Sequence, residues 1–264
     1  MGDYTRSDVV HALRELGVCE GDVLFTHSNV GFFGCSDGAT SAQGIYTLFK
    51  SAIFEVIGTS GTWIVPTFSW SFCRKKDFDV AQTPGEGGML AESLRTDPDA
   101  LRSHDANFSV AAVGAKAKYF TEHPPEYSFG RDSFWERFRN HGGLICNFNF
   151  DAGSTFIHYV ERCLRVPYRY DKGFSGTLID GTSRQEKTFY HFVYDLEKRE
   201  HAPDFTRFDA IVKERGTARV HNVGKGQILC ISSEDTYVTI SDQLAIDPYF
   251  LTIQNRSNTD GFGR

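Results

Sequence analysis

A histidine and a glutamate three residues apart, His158 and Glu161, are the pair in this 264-residue sequence best placed to move a proton. They lie in Thr155-Phe-Ile-His-Tyr-Val-Glu-Arg-Cys-Leu164, which has the apolar spacing of a helix, with Ser154 in position to cap it. Residues three apart share a helix face, so the carboxylate can orient the imidazole and raise its basicity. Such a histidine can take a proton from an attacking amine or hydroxyl. His-x-x-Glu is also a common surface ion pair, so the motif alone leaves both readings open. A metal reading needs more ligands, and no HExxH or second ExxH supplies them.

Three other segments put small polar residues where strands should end. These are His27-Ser28-Asn29, Thr67-Phe68-Ser69 just after Pro66, and the run from Arg102-Ser103-His104 to Ser109. Hydroxyls and loop amides at strand tips can hold phosphates, amides or a thioester carbonyl. The same residue types dominate ordinary turns. Gly224-Lys225-Gly226 is followed by the strand-like Gln227–Ile231 rather than by a helix, so it reads as a β-turn and not as a pyrophosphate loop.

The elements that must carry these residues alternate between helical and strand periods. Ser7 is in position to cap a helix with Val9, Val10, Leu13 and Leu16 on one face, stopped by Gly17. Strands are expected at 22–27, 62–67, 108–113, 143–149, 174–180, 186–194, 217–222 and 226–232, with a hairpin turn at Asp180-Gly181. Helices are expected over 45–57, 88–95, 133–140, 154–164, 203–215 and 234–246. The alternation argues for a layered α/β fold with a largely parallel or mixed sheet. No repeat or linker divides the chain, so 1–264 reads as a single domain with a polar, frayed tail at about 254–264.

Composition narrows the function classes. The chain is 14% aromatic and 40% hydrophobic with a net charge of −6, which excludes low-complexity disorder and argues against a nucleic-acid binder. No run approaches the ~20 apolar residues of a membrane span, and the first residues lack the profile of a signal peptide. The six scattered cysteines read as reduced thiols, and a cytoplasmic location follows. The many aromatics leave room for a homodimer interface.

Taken in order, these segments resemble the aminoglycoside 3-N-acetyltransferase family, also called antibiotic N-acetyltransferases. The match runs through Leu16-Gly17-Val18, Gly21-Asp22, His27-Ser28, Gly61-Thr62 and Pro66-Thr67-Phe68-Ser69. It continues through Arg102-Ser103-His104, Ser109-Val110-Ala111…Gly114, Phe129-Gly130-Arg131-Asp132-Ser133 and Thr155…His158…Glu161, covering nearly the whole chain. The resemblance implies a three-layer α/β/α fold with a mixed, largely parallel central sheet, unlike the GNAT acetyltransferases. It implies transfer of an acyl group from coenzyme A to a primary amine of an amino sugar, without a metal. It places catalysis on His158 and Glu161, and coenzyme A contacts on His27, Ser28, Thr67, Arg102, Ser103, Ser109, Gly130 and Ser133. Asn29 stands where the family has Ser, and His104 directly follows Ser103 where the family has an intervening residue and a Pro.

The segment Trp70-Ser-Phe72-Cys-Arg74-Lys75-Lys76 bears on the acceptor. Three consecutive cations would repel a polycationic aminoglycoside and attract a diphosphate, with Trp70 or Phe72 stacking on a base. That favours a nucleotide-linked amino deoxysugar of surface-glycan biosynthesis as acceptor. The alternative is an antibiotic acceptor and a resistance enzyme; a further one is a non-catalytic sugar- or nucleotide-binding module. Arg74, Lys75 and Lys76 also read as a solvated surface run or as contacts to the 3′-phosphate of coenzyme A.

Overall fold

The short apolar runs become strands of a sheet whose two faces are both covered. The computed structural model describes residues 2–255. Its strands are β1 (Val23–Phe25), β2 (Thr62–Pro66), β3 (Phe78–Asp79), β4 (Leu101–Arg102), β5 (Val110–Gly114), β6 (Leu144–Phe148), β7 (Arg169–Asp180), β8 (Ser183–Tyr194), β9 (Arg219–Val223) and β10 (Gly226–Ser232). Its helices are α1 (Arg6–Glu15), α2 (Ala42–Ile57), α3 (Met89–Arg95), α4 (Ala117–Thr121), α5 (Phe134–Asn140), α6 (Phe156–Cys163), α7 (Thr206–Glu214) and α8 (Ser233–Ile246).

The main sheet has the order β4-β5-β2-β1-β6-β10-β9. Its centre is parallel, β1 lying between β2 and β6. β5 and β10 run against their neighbours, and the edge strands β4 and β9 reverse again to rejoin the central direction. Side chains alternate between the faces, as the pleat requires. Leu24, Trp63, Val65, Cys146 and Phe148 pack with α1, α2 and α3. Val23, Phe25, Ile64 and Ile145 pack with α4 to α8 on the other side. The expected three layers follow.

The hairpin of β7 and β8 stands outside this sheet. It pairs from Arg169↔Tyr194 to Asp180↔Ser183 around Gly181, whose φ of 56° suits the tight turn that the sequence indicates. With β3 it forms a separate three-stranded sheet over a small cluster of Phe72, Phe78, Ala106, Leu178 and Phe189. Half of β7 is exposed and only two of its residues are buried, so the hairpin has too few apolar side chains to enter a layer covered on both faces.

Three local expectations are corrected. The cap of α1 is Thr5, not Ser7: Thr5 Oγ1 accepts from Asp8 N at 3.2 Å while Asp8 Oδ2 accepts from Thr5 N at 2.7 Å. Asp8 completes that reciprocal capping box. Ser154 does not cap α6; its hydroxyl has no partner, and Thr155 occupies the cap position without a side-chain bond. Two of the six cysteines are not free thiols. Cys146 and Cys230 face each other directly across β6 and β10, Cα atoms 4.3 Å apart, and are joined by a disulfide that a separation of 84 residues hides in the sequence. The expectation for the tail falls, beyond residue 255, outside the described residues.

Replacing Thr5 by Ala removes one half of the capping box and is expected to lower stability by about 1 kcal/mol. Thermal unfolding should show a Tm reduced by a few degrees with turnover intact; an unchanged Tm would contradict the capping role.

Candidate active site

Because β1, β2 and β6 are parallel neighbours, their C-terminal tips open on one edge of the sheet, where such folds place ligands. β1 delivers His27-Ser28-Asn29, β2 delivers Phe68 and Trp70, and β6 delivers the turn 149–153 that leads into α6. Buried Asn147 ties that turn down. Its Nδ2 donates to the carbonyls of Asp151 at 2.7 Å and Gly153 at 3.2 Å. Asp209 of α7 accepts from Ala152 N at 2.9 Å. Two left-handed residues shape the rim: Trp70 (φ 54°) and Asn149 (φ 57°). Such conformations persist only where surrounding contacts enforce them.

α6 carries His158 into this edge. Its Nδ1 lies 2.6 Å from Glu161 Oε2, and Glu161 is fully buried. An ionised carboxylate buried in this way needs compensation. Arg169 supplies it, with Nε 2.9 Å from Glu161 Oε2, and the Tyr168 hydroxyl donates to Glu161 Oε1 at 2.7 Å. Arg169 is itself held by the Phe192 carbonyl at 3.1 Å and lies between the rings of Tyr168 and Tyr194.

The electrostatics fix the protonation pattern. Burial alone would raise the Glu161 pKa, but the Arg169 charge and its bonds to His158 and Tyr168 hold it below the usual glutamate value. Burial, aided by Arg169, keeps the His158 pKa below the ordinary 6.5, against the opposing pull of Glu161. At neutral pH, then, Glu161 is ionised and His158 is neutral. The carboxylate accepts the Nδ1 proton, which leaves the Nε2 lone pair as the basic position.

Two cavities meet at this imidazole. The larger, about 590 Å³, is walled by Phe68, Trp70 and Phe108 and rimmed by Ser28, Asn29 and Glu86. The smaller, about 440 Å³, is lined by Asp151, Gly153, Ser154 and Phe205 at the start of α6. His27, Phe150, Thr155 and His158 line both. Burial among the edges of Phe25, Phe68 and Phe150 drops the His27 pKa to about 4, so this ring is uncharged as well.

The residues expected to touch ligands fall into two groups. His27, Ser28 and Trp70 reach the larger cavity. Thr67, Ser109 and Arg102 instead bind one another beneath the strand tips. Ser109 Oγ donates to the Thr67 carbonyl at 2.7 Å, and Arg102 clamps Thr67 O at 2.8 Å and Val80 O at 3.0 Å while lying over Phe78. Ser103 accepts from Val110 N at 3.0 Å, Ser133 caps α5, and Gly130 packs against Tyr127. None of these six is among the residues lining the two cavities at His158.

The basic run at 74–76 lies outside both cavities at His158. Phe72 is buried beside Phe189 with Gly176 against its ring, leaving no face for a base to stack on. Arg74 is paired with Glu86, and exposed Lys75 and Lys76 are not part of either cavity wall. With Arg74 paired and both lysines away from the cavities, the charge argument for a nucleotide-linked acceptor finds no support at the candidate site. His104 sits by the hairpin, 3.4 Å from Asp180, rather than with His27 and His158.

Sequence reasoning missed Arg169, Tyr168, Glu86 and Phe150. Arg169 carried no signal, because its role depends on a chain reversal at Arg165 (φ 52°) that folds Tyr168 and Arg169 back onto Glu161. Glu86 had one: a carboxylate flanked by Gly85, Gly87 and Gly88. Another buried imidazole, His191, was also missed. Asn107 Oδ1 accepts from Cys73 N at 3.0 Å, which turns Nδ2 toward His191 Nε2 at 3.0 Å. This network backs Phe108 and leaves Cys73 an unreactive thiol, its pKa pushed up to about 11 by burial.

The family model described as aminoglycoside 3-N-acetyltransferase matches residues 39–245. Aminoglycoside N(3)-acetyltransferase IX of Micromonospora chalcea is 24% identical, covering 90% of this chain and 89% of that protein. Among solved structures, AAC-IIIb in a binary complex with CoASH superposes with a TM-score of 0.74 at 21% identity, covering 89% of this chain and 93% of that one. AAC-VIa bound to sisomicin gives 0.75 at 23% identity, covering 89% and 95%.

Two outcomes follow from the buried network. Titrated by NMR in the free enzyme, His158 should change charge below pH 6.5, the ordinary histidine value, because the ring stays unprotonated in the folded site; a transition above it would contradict the assignment. Replacing Arg169 by Met strands the buried Glu161 charge and should cost about 3–5 kcal/mol in denaturant unfolding. A loss under about 1 kcal/mol would show that Glu161 does not depend on it.

Proposed function

This chain belongs to the aminoglycoside 3-N-acetyltransferase family, a family of acyl-CoA-dependent N-acyltransferases, and from that premise we propose that it acetylates a primary amine of an aminoglycoside-type acceptor. The observation that carries the reading is His158 itself, bound through Nδ1 to buried Glu161 and lining both cavities. Two substrates must meet at one base, and a residue common to two cavity walls supports that reading.

The acceptor takes the larger cavity, whose flat walls of Trp70, Phe68 and Phe108 suit the apolar face of a sugar ring. The acyl donor takes the smaller one, at the amino-terminal end of α6. There Ser154 Oγ is buried without a partner at the positive end of α6, a donor that fits a carbonyl gaining negative charge. Acetyl-CoA supplies an activated acyl carbon. His158 Nε2 removes the proton from the amine as nitrogen bonds to that carbon. Glu161 stabilises the resulting imidazolium, and His158 returns the proton to the departing sulfur. Nitrogen gains the acyl group, and the thiol leaves neutral. An acceptor that arrives as an ammonium first releases one proton to solvent, and with that proton it loses one positive charge.

The direct test is thiol release from acetyl-CoA with sisomicin as acceptor. His158→Ala should reduce turnover by about 10²–10⁴-fold while calorimetric binding of coenzyme A persists. Full activity in that variant would remove His158 from the chemistry. Release with a nucleotide-linked amino sugar but with no aminoglycoside would overturn the proposed acceptor.

A further inference from the structure

Glu86 supplies the larger cavity's wall with its one carboxylate among the described residues. Its backbone is fixed: Glu86 N donates to the Phe68 carbonyl at 2.8 Å. On either side the chain lies too close for side chains. A Cβ at Gly87 would come within 2.3 Å of the Pro66 carbonyl, and one at Gly85 within 3.0 Å of Thr67 Cα. The glycines thus press this loop onto the tip of β2 and commit the carboxylate to the rim above Phe68 and Trp70.

Arg74 occupies that carboxylate. Its Nη2 donates to Glu86 Oε2 at 3.0 Å, its other terminal nitrogen pairs with Oε1, and the pair keeps Glu86 ionised by lowering its pKa. Both side chains are about half exposed, at 49% and 47%. An ion pair so exposed is weak and readily exchanged. Arg74 itself has no other close bond beyond a 3.4 Å approach to Ser69 O. The guanidinium reaches the carboxylate from a separate turn, so it can swing away without disturbing the Glu86 backbone.

We propose that Glu86 is a docking point for a second ammonium group of the acceptor, one that is not acetylated, and that Arg74 is a built-in competitor for it. This deepens the function proposed above and rests on its placement of the acceptor in the larger cavity. An acceptor with several amines exchanges its own cation for Arg74 at Glu86, whereas a single-amine sugar has none to spare once its amine faces His158. Arg74 therefore sets the selectivity between the two classes and makes binding of the multivalent one sensitive to salt.

The experiment measures binding by calorimetry, without acetyl-CoA, to wild type, Arg74→Ala, Glu86→Gln and the double variant. The probes are sisomicin and, with a single amine, methyl glucosaminide. Arg74→Ala should raise the preference for sisomicin by about three-fold, the scale of an exposed ion pair, and Glu86→Gln should lower it by a similar factor. The double variant should match Glu86→Gln, because Arg74 has nothing left to block. Equal shifts for both probes, or an Arg74→Ala variant with unchanged or weaker preference for sisomicin, would overturn the proposal. Since binding is read without turnover, an enzyme that binds as described but acetylates neither probe would defeat the function proposed above while leaving this subsite intact.

Discussion

A buried carboxylate governs this structure. Glu161 has no access to water, and an ionised group in that position is tolerable only with a full set of partners. Arg169, Tyr168 and His158 are those partners, and each comes at a different chain position relative to α6. Arg169 and Glu161 cancel each other's charge, so the imidazole joins a neutral pair. A proton added to His158 is then the only net charge in the cluster. That explains how the ring stays unprotonated at rest and yet has an adjacent carboxylate to stabilise it when it does accept a proton.

The remaining scaffold holds this cluster against two cavities. The parallel trio β1, β2 and β6 brings three loops to one edge, and Asn147 fastens the last of them in front of α6. Beneath the rim, Arg102 joins the tip of β2 to the 80–83 segment, while Asn107 and His191 brace the loop behind Phe108. These polar residues lie one layer below the cavity walls. Their hydrogen bonds go to backbone and to each other, which braces the walls and leaves Phe68, Trp70, Phe108 and Phe150 to face the larger cavity.

How much of this the sequence could disclose depends on the range of each interaction. The His158–Glu161 pair was legible because both residues sit on one short helix, and helical spacing alone brings them together. The strands and helices of the central layers were legible from their apolar periods. Arg169 was not, since its contact with Glu161 arises from a reversal between a helix and a long polar hairpin. Likewise the disulfide between Cys146 and Cys230 depends on strand register, and the pairing of Arg74 with Glu86, twelve residues further on, is not visible in the basic run itself. Charge counted along a chain says little about charge left over once the chain has folded.

The central claim is that the buried pair fixes both the charge and the tautomer of His158. Nitrogen-15 NMR of histidine-labelled enzyme at neutral pH tests it most directly, with His158→Gln used to assign the resonances. The account predicts a neutral ring with the proton on Nδ1 and an unprotonated Nε2. An imidazolium, or a neutral ring protonated on Nε2, would contradict it.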